Sequence, residues 1–228
     1  MSDIVWKSKE SEDEFVRLST EFILKQAHRA IAQKGFFNLV ISGGKTPLKI
    51  FRALAGRDED WKRWFLFWAD ERCYPTDHFE RNDFQAFRLW LDHIQIPREN
   101  IFSIPAELGP KKGAKEYSKK IDKIQSFDLS LLGLGGDGHT ASLFPENLSL
   151  NQNDTRSVIG VQNSPKPPAK RVSLNYSTLL KSITVAFLLN SHGKENALQA
   201  LKNHERIPGS FIKGKEETVI FHLNETSS

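Results

Sequence analysis

Phe127-Asp128-Leu129-Ser130-Leu131-Leu132-Gly133-Leu134-Gly135-Gly136-Asp137-Gly138-His139-Thr140-Ala141-Ser142-Leu143-Phe144-Pro145 is the stretch on which the fold turns. The apolar run from Phe127 to Leu132 reads as a buried strand. The glycines behind it let the backbone turn sharply and approach a ligand closely. Inside that turn stand one carboxylate, Asp137, and one imidazole, His139. An imidazole held by glycines at the end of a strand suits a general base at neutral pH. Gly133, Gly135 and Gly138 also satisfy G-x-G-x-x-G, the dinucleotide fingerprint. That fingerprint needs a helix directly behind it and an acid about 20 positions on. Here Pro145 interrupts the following segment, and the next strand candidate, Val158 to Val161, runs into Gln162-Asn163. A nicotinamide or flavin site is not expected.

Outward from this turn, strand and helix signals alternate. Ser11-x-x-Glu14 is a capping-box pattern. Phe15, Leu18, Phe22, Ala30 and Ile31 recur behind it at helical spacing, predicting a helix that Gly35 ends. Phe36 to Ile41 and Phe65 to Ala69 read as strands. Between them Thr46-Pro47 reads as an N-cap with Pro at the first helical position. Phe84, Phe87, Trp90, Leu91 and Ile94 predict another helix, and Pro110 to Ile124 a polar one. The second half adds strands at Val158 to Val161, Arg171 to Asn175, Ile183 to Leu189 and Thr218 to Leu223, with a helix around Asn196 to Leu201. The loop Asn163 to Pro168 contains three prolines and cannot be regular. Alternating strands and helices predict an α/β fold, and continuous apolar runs suit a mostly parallel sheet covered on both faces. No repeat or boundary divides residues 1–228, so one domain is expected.

Composition narrows the class. The chain has 228 residues, 39% hydrophobic and 11% aromatic, enough for a sizeable core. Its single cysteine, Cys73, excludes an internal disulfide and suits a reducing compartment. The N-terminus shows no basic region followed by an apolar stretch, and no apolar run is long enough to span a bilayer. A cytoplasmic protein without a membrane partner is expected. The net charge of +4 is spread along the chain, without the aromatic-basic interleaving of nucleic-acid binders. It suits an anionic small molecule. A monomer is expected, although nothing in the sequence excludes an oligomer.

In an open α/β sheet, ligands bind outside the carboxyl ends of the strands. Three segments there carry chemistry. Ser42-Gly43-Gly44-Lys45-Thr46 reads either as a tight turn or as an oxyanion cradle built from amides, a hydroxyl and a helix N-terminus. Its spacing is not that of a Walker A loop. Asp70-Glu71-Arg72, at the end of the Phe65 strand, reads either as an ion-pair network or as part of a site. Asp137-Gly138-His139 is the third. The acids and His139 lack metal-ligand spacing, so no metal is expected.

Ser42 through Pro47, Asp70-Glu71-Arg72 and Gly133 through Pro145, in this order, closely resemble the signatures of the 6-phosphogluconolactonase family. Pro165-Lys166-Pro167-Pro168 with Arg171-Val172-Ser173-Leu174, and Phe187-Leu188-Leu189 with Lys194, resemble its C-terminal half. The resemblance implies a modified doubly wound, Rossmann-like sheet shared with glucosamine-6-phosphate deaminases and ribose-5-phosphate isomerases. It implies hydrolysis of 6-phosphoglucono-δ-lactone, a small sugar-phosphate substrate, without a cofactor. His139 would be the base, and Asp137 or another nearby carboxylate would either orient the imidazole or accept a sugar hydroxyl. Ser42, Gly43, Gly44, Lys45 and Thr46 would grip the phosphate, with Arg171 and Lys194 as cations. Asp70, Glu71 and Arg72 would bind substrate, Arg72 either at the oxyanion or on the sugar. Two rivals are a deaminase and a non-catalytic sugar-phosphate sensor. The deaminase motif continues Ala-Phe-Asn-Glu-Pro where this chain reads Ala141-Ser142-Leu143-Phe144-Pro145, and an intact His139 speaks against the sensor. The chain departs from the family pattern at Arg81-Asn82, where Ser-Asn is usual, at Ser191, at Pro208-Gly209-Ser210 and at Phe221-His222-Leu223-Asn224.

Overall fold

The computed structural model describes residues 4–224. Among the described residues, ten strands and seven α-helices follow one another. β1 (Ile4–Lys9), α1 (Glu12–Lys34), β2 (Phe37–Ile41), α2 (Lys45–Ala55), β3 (Trp64–Trp68), β4 (Asp70–Arg72), α3 (Asn82–Leu89) and β5 (Ile101–Phe102) form the first half. α4 (Pro110–Ile121), β6 (Phe127–Leu132), α5 (Leu148–Asn153), β7 (Val158–Val161), β8 (Arg171–Leu174), α6 (Tyr176–Leu179), β9 (Ser182–Asn190), α7 (Glu195–Lys202) and β10 (Glu217–Leu223) complete it.

Seven strands make one parallel sheet in the order β1-β10-β9-β6-β2-β3-β5. From β2 the chain moves through β3 to β5 on one side. It then returns to β6 on the other side of β2 and continues outward. The β2–β6 pair is therefore the topological switch point, and its carboxyl ends open a crevice. Every residue of β2 and β6 is buried, the polar side chains of Asn38, Asp128 and Ser130 each with a hydrogen-bond partner. Helices cover both faces. Phe22 of α1 packs edge-on against Phe221 on one side of β10. Lys202 of α7 lies over Trp6, whose register partner is Ile220 on the opposite side.

α1 begins at Ser11, whose hydroxyl accepts the Glu14 amide, and ends at Gly35, whose φ of 89° lets its amide reach the Ile31 carbonyl. α2 starts earlier than Thr46-Pro47 implies. Gly44 holds the cap position, no side chain caps it, and Thr46 is the second helical residue. The first-turn amides of a helix have no internal partner, so Pro47 is tolerated one turn in.

The sequence reading contained one sheet, and the structure has two. Asp70-Glu71-Arg72 is not a loop but β4, which pairs antiparallel with β8, and β8 with β7. Ala69 makes the corner, donating its amide to Ile41 and accepting that of Leu174. The small sheet thus stands at the carboxyl ends of β2 and β3. Tyr117 of α4 anchors the same corner, its hydroxyl bonding both the amide and the carbonyl of Trp68. Both sheets contribute to one continuous hydrophobic core.

Candidate active site

The loops after β2 and β6, the small sheet, the 163–168 loop and the start of α7 enclose a cleft of about 310 Å³. Ser42, Gly43, Gly44, Asp70, Arg72, His139, Arg171 and Lys194 line it, as the sequence reading required. A larger cleft of about 560 Å³ lies behind α3. Its carboxylates Asp83 and Glu107 are tied to Arg81, and Asp92 to Arg98, so size does not select the site.

His139 is half-buried beside the β6 turn and Phe144, whose ring centroid lies 4.8 Å away. Its Nδ1 is 2.5 Å from Asp137 Oδ1. The ring therefore donates Nδ1–H to the carboxylate, and Nε2 carries the basic lone pair. Burial holds the imidazole below the ordinary histidine range; Asp137 opposes that shift and Lys166 adds to it. Burial pushes the Asp137 carboxyl up, but the His139 hydrogen bond and nearby positive charge outweigh it and bring it to about 2. Asp137 does not line the cleft; it stands behind the imidazole. Gly135 is required here for space. A Cβ at this position meets His139 Nδ1 at 2.0 Å.

Asp70 is buried and receives Ser142 Oγ–H at 2.6 Å and the Asn82 side-chain amide at 3.3 Å, with Arg171 Nη1 3.7 Å away. Arg171 spends Nε and Nη2 on the carbonyls of Pro168, Lys166 and Pro167, at 2.9 to 3.2 Å. It is first an anchor for the proline-rich loop and only secondarily a free cation. Lys194 sits at the cap position of α7; burial, then the charge of Lys166, lower its ammonium from the ordinary lysine value.

Besides Asp137, three predicted site residues lie outside the cleft wall. Glu71 is fully buried and points away from the cleft. Its carboxylate accepts the amides of Arg72, Asn82 and Asp83, capping α3 from a distance. Burial and the charge of Asp83 push it up to about 8. Lys45 is exposed on α2, and Thr46, in the first turn, is also outside the cleft wall, because the helix cap lies two residues before the expected one.

The reading missed Asn82, Thr140 and Lys166 as lining residues. Asn82 donates to the Asp70 carbonyl at 2.9 Å, and its Oδ1 packs so tightly under Gly43 that a Cβ there would meet it at 1.9 Å. A clue lay in the Arg81-Asn82 departure. Arg81 turns inward and forks onto Asp83 at 2.8 Å twice, and also donates to Glu107 and to the Tyr74 and Ile104 carbonyls. The substitution rebuilds the support behind the site and leaves Asn82 facing it. Pro208-Gly209 likewise packs under the turn after β6, with the Gly209 amide donating to the Gly138 carbonyl.

Ser42 Oγ, Arg72 Nε, Asn82 Oδ1 and Thr140 Oγ1 are buried without a partner among the described residues. Such atoms are rare in proteins unless a ligand or water meets them. Together with the Arg72, Lys166, Arg171 and Lys194 charges, they suit a hydroxylated anion. No cluster of three or more His, Cys, Asp or Glu able to hold a metal occurs among the described residues. Nor is any helix among them long and apolar enough to cross a membrane.

A sequence profile of glucosamine-6-phosphate isomerases/6-phosphogluconolactonase matches residues 10–221. The chain belongs to this family. It is 33% identical over 204 residues to the 6-phosphogluconolactonase of Synechocystis, covering 84% of this chain and 83% of that one. It is 30% identical over 214 residues to chloroplastic 6-phosphogluconolactonase 3 of Arabidopsis thaliana, covering 86% of this chain and 66% of that one. The crystal structure of the 6-phosphogluconolactonase from Thermotoga maritima superposes with a TM-score of 0.91 at 30% identity, over 97% of this chain and all of that one. The family's modified doubly wound fold is thus the fold of this chain.

Proposed function

We propose that the chain hydrolyses 6-phospho-D-glucono-1,5-lactone to 6-phospho-D-gluconate, the second step of the oxidative pentose phosphate pathway, with His139 as general base. The observation that carries this reading is the Asp137–His139 pair at the wall of a cationic cleft. Asp137 fixes the proton on Nδ1, so Nε2 takes a proton from water as its oxygen attacks the lactone carbonyl. The imidazolium that forms is stabilised by Asp137 and returns the proton to the ring oxygen as the C1–O bond breaks. The product is a hydroxy acid that ionises. Arg72, with its unpartnered Nε, supplies positive charge for the oxyanion. Ser42 and the Gly43 and Gly44 amides at the start of α2, with Lys194, grip the phosphate. No cofactor takes part, and the single cysteine fits a cytoplasmic setting.

The residues after His139 support lactone hydrolysis over deamination. Ser142 is turned inward to Asp70, and Leu143 and Phe144 are core residues. The test is a direct assay with the purified protein. Acid release from the phosphorylated lactone should exceed the spontaneous rate by orders of magnitude, and glucosamine 6-phosphate should release no ammonia. The reverse pattern would overturn the reading.

A further inference from the structure

The imidazole of His139 has two charged neighbours in contact, and the reaction above uses only one. Asp137 Oδ1 lies 2.5 Å from Nδ1. Lys166 Nζ lies 3.3 Å from the same Nδ1 and 3.3 Å from the same Oδ1. A ring nitrogen that donates to the carboxylate cannot also accept from the ammonium. Lys166 therefore donates to Oδ1 and stands beside the ring as a bare positive charge.

Its position is built rather than accidental. Pro165, Pro167 and Pro168 restrict the backbone around it. Its carbonyl receives Ser164 Oγ–H and Arg171 Nη2–H, and its own amide donates to Ser164 Oγ. Arg171 also holds the next two carbonyls, so a buried guanidinium fixes the root of the side chain. The charged groups facing His139 are Asp137 on its own turn, Asp70 on β4 and Lys166 on this loop. Both carboxylates favour the imidazolium. Protonated before substrate arrives, His139 is no base. The ammonium opposes them and also keeps Asp137 ionised as the acceptor of Nδ1–H.

We propose that Lys166 is a positioning residue for His139: its ammonium, carried in by the Arg171-held loop, shares Oδ1 of Asp137 and keeps the imidazole neutral with its proton on Nδ1. The functional consequence rests on His139 being the base; the electrostatic effect does not.

The experiment is a titration of the His139 ring by NMR in the substrate-free protein, for wild type, Lys166→Met and Lys166→Arg. Lys166 keeps 43% side-chain exposure, so solvent screens its charge and a moderate effect is expected. Lys166→Met should raise the His139 midpoint by about half to one pH unit, and Lys166→Arg should restore it. The acidic limb of kcat/KM should move up by the same amount on phosphorylated and unphosphorylated gluconolactone alike. An unmoved midpoint, with KM raised for the phosphorylated lactone only, would make Lys166 a phosphate ligand and overturn the proposal. Equal shifts in Met and Arg variants would overturn it too, since charge would not be the cause. A raised midpoint in a protein that hydrolyses no lactone would support the electrostatic role while refuting the function proposed above.

Discussion

Asp137 controls two properties of His139 that pull in opposite directions. In the proposed reaction it orients the ring and stabilises the imidazolium, and it also raises the ring's proton affinity, which withdraws the proposed base at low pH. Asp137→Asn separates them. An amide in place of the carboxylate removes the charge, so the acidic limb of kcat/KM should shift to lower pH, opposite to Lys166→Met. The plateau rate should still fall, by about 10²-fold or more, because the tautomer and the charge partner of the imidazolium are lost. A pH–rate profile of this variant measures both effects. In wild type the base is neutral above its lowered midpoint, so activity should be full at neutral pH and decline only below the ordinary histidine range. At this scale the sequence was informative where chemistry is local. Asp137 and His139, two residues apart on a glycine turn, marked that turn as a candidate site. Glu71 did not announce its role, because nothing in Asp70-Glu71-Arg72 says which acid faces the cleft and which caps α3. Arg81 looked like a departure from pattern. Only three-dimensional contacts with Asp83 and Glu107 show that it supports Asn82 from behind.

Among the elements, the turn after β6 and the small sheet do most to shape the site. Gly135 is held against the imidazole, and the Cβ of an alanine would also lie 2.7 Å from Asp137 Oδ1. Gly135→Ala should therefore break the His–Asp contact while leaving the sheet intact. The expected result is a fall in kcat of about 10²-fold, comparable with loss of a general base, and a thermal midpoint within a few degrees of wild type. Steady-state kinetics with a melting curve tests it. The long elements were legible because their burial is simple. α1 repeats apolar residues on one face, and β2, β6 and β9 are mostly apolar and buried along nearly their whole length. The missed ones are short or half-exposed. β1 is an edge strand, β5 has two residues, and β4 is three polar residues whose extended form comes from β8, a hundred residues away. The early start of α2 was hidden because proline fits any position whose amide needs no partner.

On the scale of the whole molecule, doubly wound connectivity gathers distant loops at one switch point. Ser42–Gly44, Asp70, Arg72, His139, Arg171 and Lys194 come from across the chain to a single cleft. The family resemblance made that gathering readable, but not the division of labour among the cations. Arg171 is occupied by loop carbonyls, whereas no carboxylate of the described residues pairs with Lys194. Lys194→Ala should accordingly raise KM for the phosphorylated lactone about ten-fold or more, and change little for the unphosphorylated one. Arg171→Ala should impair both, because the loop carrying Lys166 would lose its anchor. Comparing the two lactones as substrates of both variants separates these roles. The central claim is that a water activated by His139 attacks the lactone. Its most direct measurement is the rate of acid release from 6-phosphoglucono-δ-lactone at neutral pH by wild type and His139→Asn, each corrected for spontaneous hydrolysis. The account predicts a kcat lower by about 10²–10⁴-fold in the variant, with binding of the product 6-phosphogluconate retained. A variant turning over at the wild-type rate would contradict it.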